Sequence, residues 1–301
     1  MTIKSEILLE SGTNELEIIE FQLQNNTFGI NVIKVKEIIQ PVPVTFIPHA
    51  HPYMEGIIQL RGEVLPVIDL AKVLNIGGSD DSSKEKFIVS EFNQLKVIFH
   101  VHNVSQIHRI SWDQIEKPSD MYTGGGQQII GVIKRENDMI LMLDFESIIT
   151  EMNPGTGISV DKVKKLGKRE RSNKHIVAAE DSPLLRKLLH DTLLEAGYEN
   201  VEFFENGQDA LEYLAGKVQG SKSIENDVHL VITDIEMPKM DGHHLTKKIK
   251  EDPKLSQLPV IIFSSLITDS LMHKGELVGA DAQVSKPEIN ELILTIDKHI
   301  K

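Results

Sequence analysis

Asp234-Ile235-Glu236-Met237-Pro238-Lys239-Met240-Asp241-Gly242 sets the architecture of the second half of this chain. The stretch follows an apolar, β-branched run, His229–Thr233, and leads into an amphipathic run, Gly242–Lys250. An acid therefore stands at the carboxyl end of a buried strand, and Pro and Gly punctuate the loop before a helix.

The same alternation extends in both directions. Strands are predicted at His175–Ala179, Val201–Phe204, His229–Thr233, Val260–Phe263 and Ala282–Ser285. Between them lie helical patterns at Pro183–Ala196, Gly207–Ala215, Gly242–Lys250 and Ser270–Val278, with Ile289–Ile300 last. Repeated β/α units of this size predict a five-stranded parallel sheet covered on both faces. Ligands of such sheets sit at the carboxyl ends of the strands.

Those ends carry the polar residues. Glu180 and Asp181 follow the first strand, Asp234 ends the third, Ser264 follows the fourth, and Lys286-Pro287 follow the fifth. Three carboxylates at one rim repel one another unless a cation joins them, and Mg²⁺, which prefers oxygen ligands and keeps some of its waters, fits. A metal-bridged aspartate can act as a nucleophile toward phosphorus, with Lys and Ser stabilising charge on the phosphoryl oxygens. Taken singly, each of these groups reads as a solvated strand end.

From about Lys174 to Lys301 this constellation resembles the receiver domains of two-component response regulators, with a flavodoxin-like α/β fold. The resemblance implies that Asp234 is the phosphoacceptor and that Glu180, Asp181 and Asp234 bind Mg²⁺ together with the backbone carbonyl of Glu236. It also implies that Ser264 contacts the phosphoryl group and drives the switch, and that Lys286 pairs with that group. Two positions depart from the pattern: Glu180 replaces the more frequent Asp, and Gln283 stands where many receivers carry the aromatic residue that follows the hydroxyl.

The first half reads as all-β. Short apolar segments recur between turn signals at Ile18–Leu23, Phe28–Val32, Gly56–Leu60, Val64–Leu70, Phe87–Val89, Val97–Val101, Ile129–Ile133 and Ile140–Leu143. β-Branched residues dominate, and the spacing predicts closed or nearly closed barrels. Helical periodicity is confined to Val32–Ile39 and Phe145–Met152. Gly124-Gly125-Gly126 is followed by no Lys-Ser/Thr and reads as a loop. His100 and His102, on one strand face without a third ligand, read as ordinary strand residues.

Residues from about Glu17 to Thr150 resemble the CheW family. The carrying stretches are Phe28-Gly29-Ile30, Ile33–Ile38, Ile47-Pro48, Tyr53–Ile58 and above all Gln59-Leu60-Arg61-Gly62-Glu63-Val64-Leu65-Pro66-Val67-Ile68-Asp69-Leu70. The resemblance implies a double β-barrel that binds the cytoplasmic tips of chemoreceptors and the CheA histidine kinase. Val35, Glu37, Arg61 and Gly62 are the implied partner contacts. Arg61 stands first, because a guanidinium on a hairpin tip suits bidentate capture of a carboxylate. Each also has a plain structural reading: Val35 as core, Glu37 as a solvated helix face, Gly62 as a turn residue.

The two resemblances in this order are those of the CheV-type coupling proteins. The expected organisation is a coupling domain over residues 1–155, a basic linker over 156–174 and a receiver over 175–301. The chain of 301 residues carries a net charge of −13. Residues 1–155 have 12 Lys+Arg against 21 Asp+Glu, and 175–301 have 13 against 22, whereas 156–174 has 7 against 2. Two acidic bodies repel nucleic acid, and the basic strip between them reads as a solvated connector. No apolar run reaches the ~18 residues of a membrane span, and Met1–Ser11 has no signal-peptide core, so no membrane insertion is expected. The absence of cysteine excludes disulfides and thiolate sites, and the expected location is cytoplasmic, at receptor clusters.

The leading function is therefore a scaffold between receptors and kinase, tuned by phosphorylation of Asp234. The alternative is a phosphate sink that drains phosphoryl groups from the kinase, which uses the same residues. An aspartate-nucleophile phosphatase would use Glu236, two residues after Asp234, as its acid, but Met237-Pro238 and the receiver context oppose it, so no enzyme is expected. A transcription factor is weaker still, the last receiver helix running to the end of the chain.

Overall fold

The computed structural model describes residues 14–92, 95–118, 128–136, 138–153, 157–167, 169–220, 224, 227–266 and 268–300. The Gly124–Gly126 run and Met1–Ser11 lie outside the described residues. The chain divides into two compact units, one of Glu15–Pro154 and one containing Gly155–Lys301.

In the first unit the elements run β1 (Glu15–Leu23), β2 (Asn26–Asn31), β3 (Val35–Ile39), β4 (Met54–Leu60), β5 (Glu63–Asp69), α1 (Leu70–Val73), β6 (Lys86–Phe92) and β7 (Leu95–Val101). Then follow β8 (Asn103–Ser111), β9 (Ile115–Glu116), β10 (Ile129–Lys134), β11 (Met139–Leu143) and α2 (Phe145–Met152). They form two sheets, β8-β1-β2-β11-β10-β9 and β3-β6-β7-β5-β4. Most pairs are antiparallel, but β11 runs parallel to β2 and β5 parallel to β7. Phe145, at the start of α2, packs against Phe21 from one sheet and Phe92 and Phe99 from the other. All four rings are buried, each contributing on the order of 1.5–3 kcal/mol of apolar transfer.

Three local readings of this unit change. Val32–Ile39 was expected to be helical; only Val32–Lys34 forms a single 3₁₀ turn, and Val35–Ile39 is a strand paired with β6. The β-branched Val35, Ile38 and Ile39 lose less in a strand, where a partner satisfies their backbone groups. Glu37 consequently sits on an edge strand, not on a helix face. β8 was not expected, because its residues mix polar and apolar types without clean alternation; pairing with β1 along its length supplies what the pattern lacks. His100 lies on β7 but His102 lies beyond it, in the turn before β8, so the two do not share a strand.

The second unit comprises α3 (Val160–Lys164), β12 (Ser172–Ala179), α4 (Pro183–Glu195), β13 (Tyr198–Phe204), α5 (Gly207–Gly220), β14 (Leu230–Thr233), α6 (Gly242–Glu251), β15 (Val260–Ser264), α7 (Asp269–Leu277), β16 (Ala282–Ser285) and α8 (Ile289–His299). Its sheet is wholly parallel in the order β13-β12-β14-β15-β16. Separate apolar clusters fill its two faces, one including Ile176, Leu193, Phe263 and Ile293, the other Val177, Leu214, Leu245 and Val260. Alternate residues of one strand thus serve opposite layers, as a covered sheet requires.

The basic stretch expected to be a solvated connector is partly folded. Ile158 and Val163 are buried in the core cluster that holds Leu189, Leu193 and Ile296, and α3 packs on α4 and α8. Ser159 caps α3 through its side chain, and the lysines Lys164 and Lys165 face solvent. The high charge of the stretch masks three apolar residues, Ile158, Val163 and Leu166, that face the core.

Candidate functional site

The strand order fixes the site. β14 lies between β12 and β15, and β16 follows β15, so the carboxyl ends of these four strands share one rim. Carboxylate oxygens of Glu180, Asp181 and Asp234 all lie within 4.8 Å of one another. Lys286 Nζ lies 2.8 Å from Glu180 Oε2 and 2.8 Å from Asp234 Oδ2. Glu180, Asp234 and Lys286 are each 4% exposed or less, so one ammonium compensates two buried acids. Ser264 ends β15 with no exposure, and its Oγ accepts from the Leu266 N–H at 3.3 Å. Glu236 lies in the loop just beyond β14.

The loop after β14 is built to hold Asp234 still. The Ile235 N–H donates to Asp234 Oδ1 at 2.6 Å, and the Gly242 N–H donates to the Ile235 carbonyl at 2.9 Å. A Cβ at Gly242 would stand 1.8 Å from the Asp234 carbonyl oxygen, so only glycine permits this approach. Asp241 caps α6 by accepting from the His244 N–H at 2.7 Å. Burial raises the Asp241 pKa above the usual carboxylate range. His243 behind it is buried and pushed down to about 3, chiefly by desolvation, so the imidazole is neutral. Asp241-Gly242 thus has two structural tasks, a cap and a clearance.

The donor set suits a hard cation. Three carboxylates converge with no nitrogen or sulfur ligand among them, the pattern that favours an oxygen-preferring divalent ion. The Lys286 ammonium then remains available to a phosphoryl oxygen. At Gln283, the departure noted from the sequence, the side-chain Nε2 donates to the Met272 carbonyl of α7 at 2.7 Å. A Cβ at Gly275 would meet that amide at 2.2 Å, so Gln283 lies in a notch of α7.

The second candidate surface is the β4–β5 hairpin of the first unit. Arg61 and Gly62 form its tip, with φ of 50° and 89°. Two successive positive φ values match the twist of a two-residue hairpin. The Arg61 guanidinium bonds Glu37 Oε2 on β3 at 2.8 Å while remaining 78% exposed. Glu37, Arg61 and Gly62 are therefore together. Val35 is separated from Glu37 by a strand irregularity and packs partly against the core. Asp69, which closes the carrying motif, caps α1 by accepting from the Lys72 N–H at 3.1 Å.

Comparison with known proteins agrees with both halves. Residues 17–152 match the CheW-like domain family and residues 176–297 match the response regulator receiver domain family. Chemotaxis protein CheV3 of Helicobacter pylori is 32% identical over 300 residues, covering 95% of this chain and 94% of that protein. Chemotaxis protein CheV2 of the same organism is 28% identical over 298 residues, covering 93% of each. Chemotaxis protein CheW of Thermotoga maritima is 28% identical over 152 residues, covering 50% of this chain and 98% of that protein.

Proposed function

The chain belongs to the CheV-type chemotaxis proteins, in which a CheW-like domain is joined to a receiver domain, and we propose that it couples chemoreceptor tips to a CheA-type histidine kinase under control of phosphorylation at Asp234. The observation that carries this reading is the buried Lys286 bridging Glu180 and Asp234 at 2.8 Å each. An ammonium held between two buried acids is poised to exchange one carboxylate for a phosphoryl group.

In the proposed transfer, an Asp234 carboxylate oxygen attacks the phosphorus of a phosphohistidine on the kinase. The new P–O bond forms as the P–N bond breaks, the bonding pair stays on the departing nitrogen, and the imidazole, already protonated on its other ring nitrogen, leaves neutral. Lys286 moves onto a phosphoryl oxygen, and the Ser264 hydroxyl turns to donate to another. The Ile235 N–H holds the nucleophilic carboxyl in place. Glu180, Asp181, Asp234 and the carbonyl of Glu236 would hold Mg²⁺, which offsets negative charge on the phosphoryl oxygens when bound.

At the other end of the chain, Glu37, Arg61 and Gly62 form the surface for receptor or kinase, with Val35 supporting the strand that carries Glu37. Arg61 exchanges its bond to Glu37 for a partner carboxylate. No helix among the described residues is long and apolar enough to cross a membrane. The proposed location is the cytoplasmic side of receptor clusters, reached through these contacts.

The test is kinase activity in receptor-bearing membranes with this protein as sole coupler, comparing wild type with Asp234→Asn after ATP addition. Activation that changes with time in wild type but not in the variant supports regulated coupling. Equal, persistent activation by both would leave the receiver as a phosphate sink. No activation by either would remove the coupling role.

A further inference from the structure

The residues that precede β12 in the second unit, outside the phosphorylation chemistry, carry an unassigned contact. Residues 158–167 and 169–172 are fastened to the rest of the receiver at three points. Ile158 and Val163 enter its core. Arg169 Nε donates to the Ala196 carbonyl at 2.9 Å, and its Nη2 donates to Asp297, which also accepts from the buried Tyr198 hydroxyl. Burial opposes the charge on Arg169, but the bond to Asp297 outweighs it and raises its pKa; burial and the same carboxylate push the Tyr198 phenol well above its usual value. Finally, the Ser172 N–H donates to the Gly197 carbonyl at 2.7 Å, and Gly197, at φ +94°, leaves room for the Glu170 carbonyl where a Cβ would stand 2.4 Å away.

The seat of this segment has a specific relation to the site. α3 rests on α4 and α8. α4 starts immediately after Glu180-Asp181-Ser182, and α8 starts just after Lys286-Pro287. Arg186 in the first turn of α4 also donates to the Glu180 carbonyl at 2.6 Å. The Glu180–Lys286 ion pair at 2.8 Å therefore ties together the N-terminal approaches of the two helices that form the seat. A phosphoryl group on Asp234 competes for Lys286 with about two units of negative charge, against one on Glu180. When Lys286 moves, that tie is lost.

We propose that residues 158–167 and 169–171 are a latch seated on α4 and α8, and that phosphorylation of Asp234 loosens it by drawing Lys286 away from Glu180. The inference rests on the reading of Asp234 as phosphoacceptor and adds the element that responds. The change then reaches this segment from the site through two helices.

The test is amide hydrogen exchange on the full chain, with Mg²⁺ alone and with Mg²⁺ plus beryllofluoride as a phosphoryl mimic. Exchange over 158–171 should become about tenfold faster with beryllofluoride, alongside altered exchange in the loops 234–242 and 264–266. Asp234→Asn should show neither change. Altered loops with unchanged or slower exchange at 158–171 would overturn the latch and leave the phosphoacceptor intact. No response in either region of the wild type would overturn the phosphoacceptor and the latch together. As a second variant, Arg169→Ala should speed exchange at 158–171 about tenfold without beryllofluoride and shrink the further response. A segment as slow as in wild type would show that the Arg169 clamp does not hold it and would defeat the proposal.

Discussion

The Nζ of Lys286 lies 2.8 Å from Oδ2 of Asp234, with both side chains withdrawn from solvent. The same ammonium meets Glu180 at equal distance. Removing it strands two acids in a region that water does not screen. Lys286→Met is therefore expected to destabilise the receiver by about 3–5 kcal/mol, with part of the loss recovered on adding Mg²⁺. Denaturant unfolding with and without Mg²⁺ reads this directly. Unchanged stability in the variant would mean that the acids are compensated by some other group.

Asp234→Asn keeps the shape of the side chain and removes the charged nucleophile. Acid-labile phosphate from the kinase should fall to background, while binding to receptor-bearing membranes through the first unit is unchanged. Label retained at wild-type level in the variant would place the phosphoacceptor elsewhere.

Two glycines should respond differently to alanine. At Gly242 the added Cβ meets a backbone carbonyl at 1.8 Å, and the backbone must move beside Asp234. The expected cost is at least about 1–3 kcal/mol, with loss of phosphate uptake. At Gly62 nothing lies within 4 Å, and only the φ of 89° resists, at about 1–2 kcal/mol. Thermal unfolding and phosphorylation of the two variants separate them. Normal phosphate uptake by Gly242→Ala would refute the clearance argument.

Arg61→Ala removes an exposed guanidinium whose bond to Glu37 is a surface pair. Stability should move by no more than about 1 kcal/mol, yet ternary assembly with receptor and kinase should weaken. Co-sedimentation with receptor membranes is the readout, and wild-type recovery of both partners would remove Arg61 from the interface.

His100 supplies a pH dependence in the first unit. Burial lowers its pKa, but the bond to Glu55 at 2.8 Å and the charges of Glu55, Glu85 and Asp69 outweigh burial and leave it raised. A folded pKa above the unfolded value of about 6.5 means that the stabilisation is fully present below that pH. It is lost as pH rises through the higher folded value. His100→Gln should flatten the fall in stability of this unit as pH rises from about 6.5. An identical pH profile in wild type and variant would dismiss the His100 contribution.

Much of this structure was legible because its signals are local. The strand Ala282–Ser285 is legible to the residue, and Glu180, Asp181, Asp234, Ser264 and Lys286 fall on one rim because parallel strands put their carboxyl ends there. What was not legible depends on partners distant in sequence. Val35–Ile39 has helical spacing by itself and becomes a strand because β6 pairs with it. Ile158 and Val163 sit in a strip dominated by lysine and arginine, and only α4 and α8 reveal that they are core. The Arg61–Glu37 pair links positions whose proximity no local pattern encodes.

The parallel pairing of β2 with β11, which sets Thr27 beside Ile140 and Phe28 beside Leu141, has a consequence during synthesis. The strand Asn26–Asn31 finds its neighbour Met139–Leu143 only after nearly the whole unit has left the ribosome. Until then the exposed edge of β2 is open to pairing with other nascent chains. The receiver joins β12 to β13 and β14 over far shorter stretches. Contact order therefore makes the coupling domain the slower folder, although it is made first, and the receiver can complete its sheet while its predecessor is still searching.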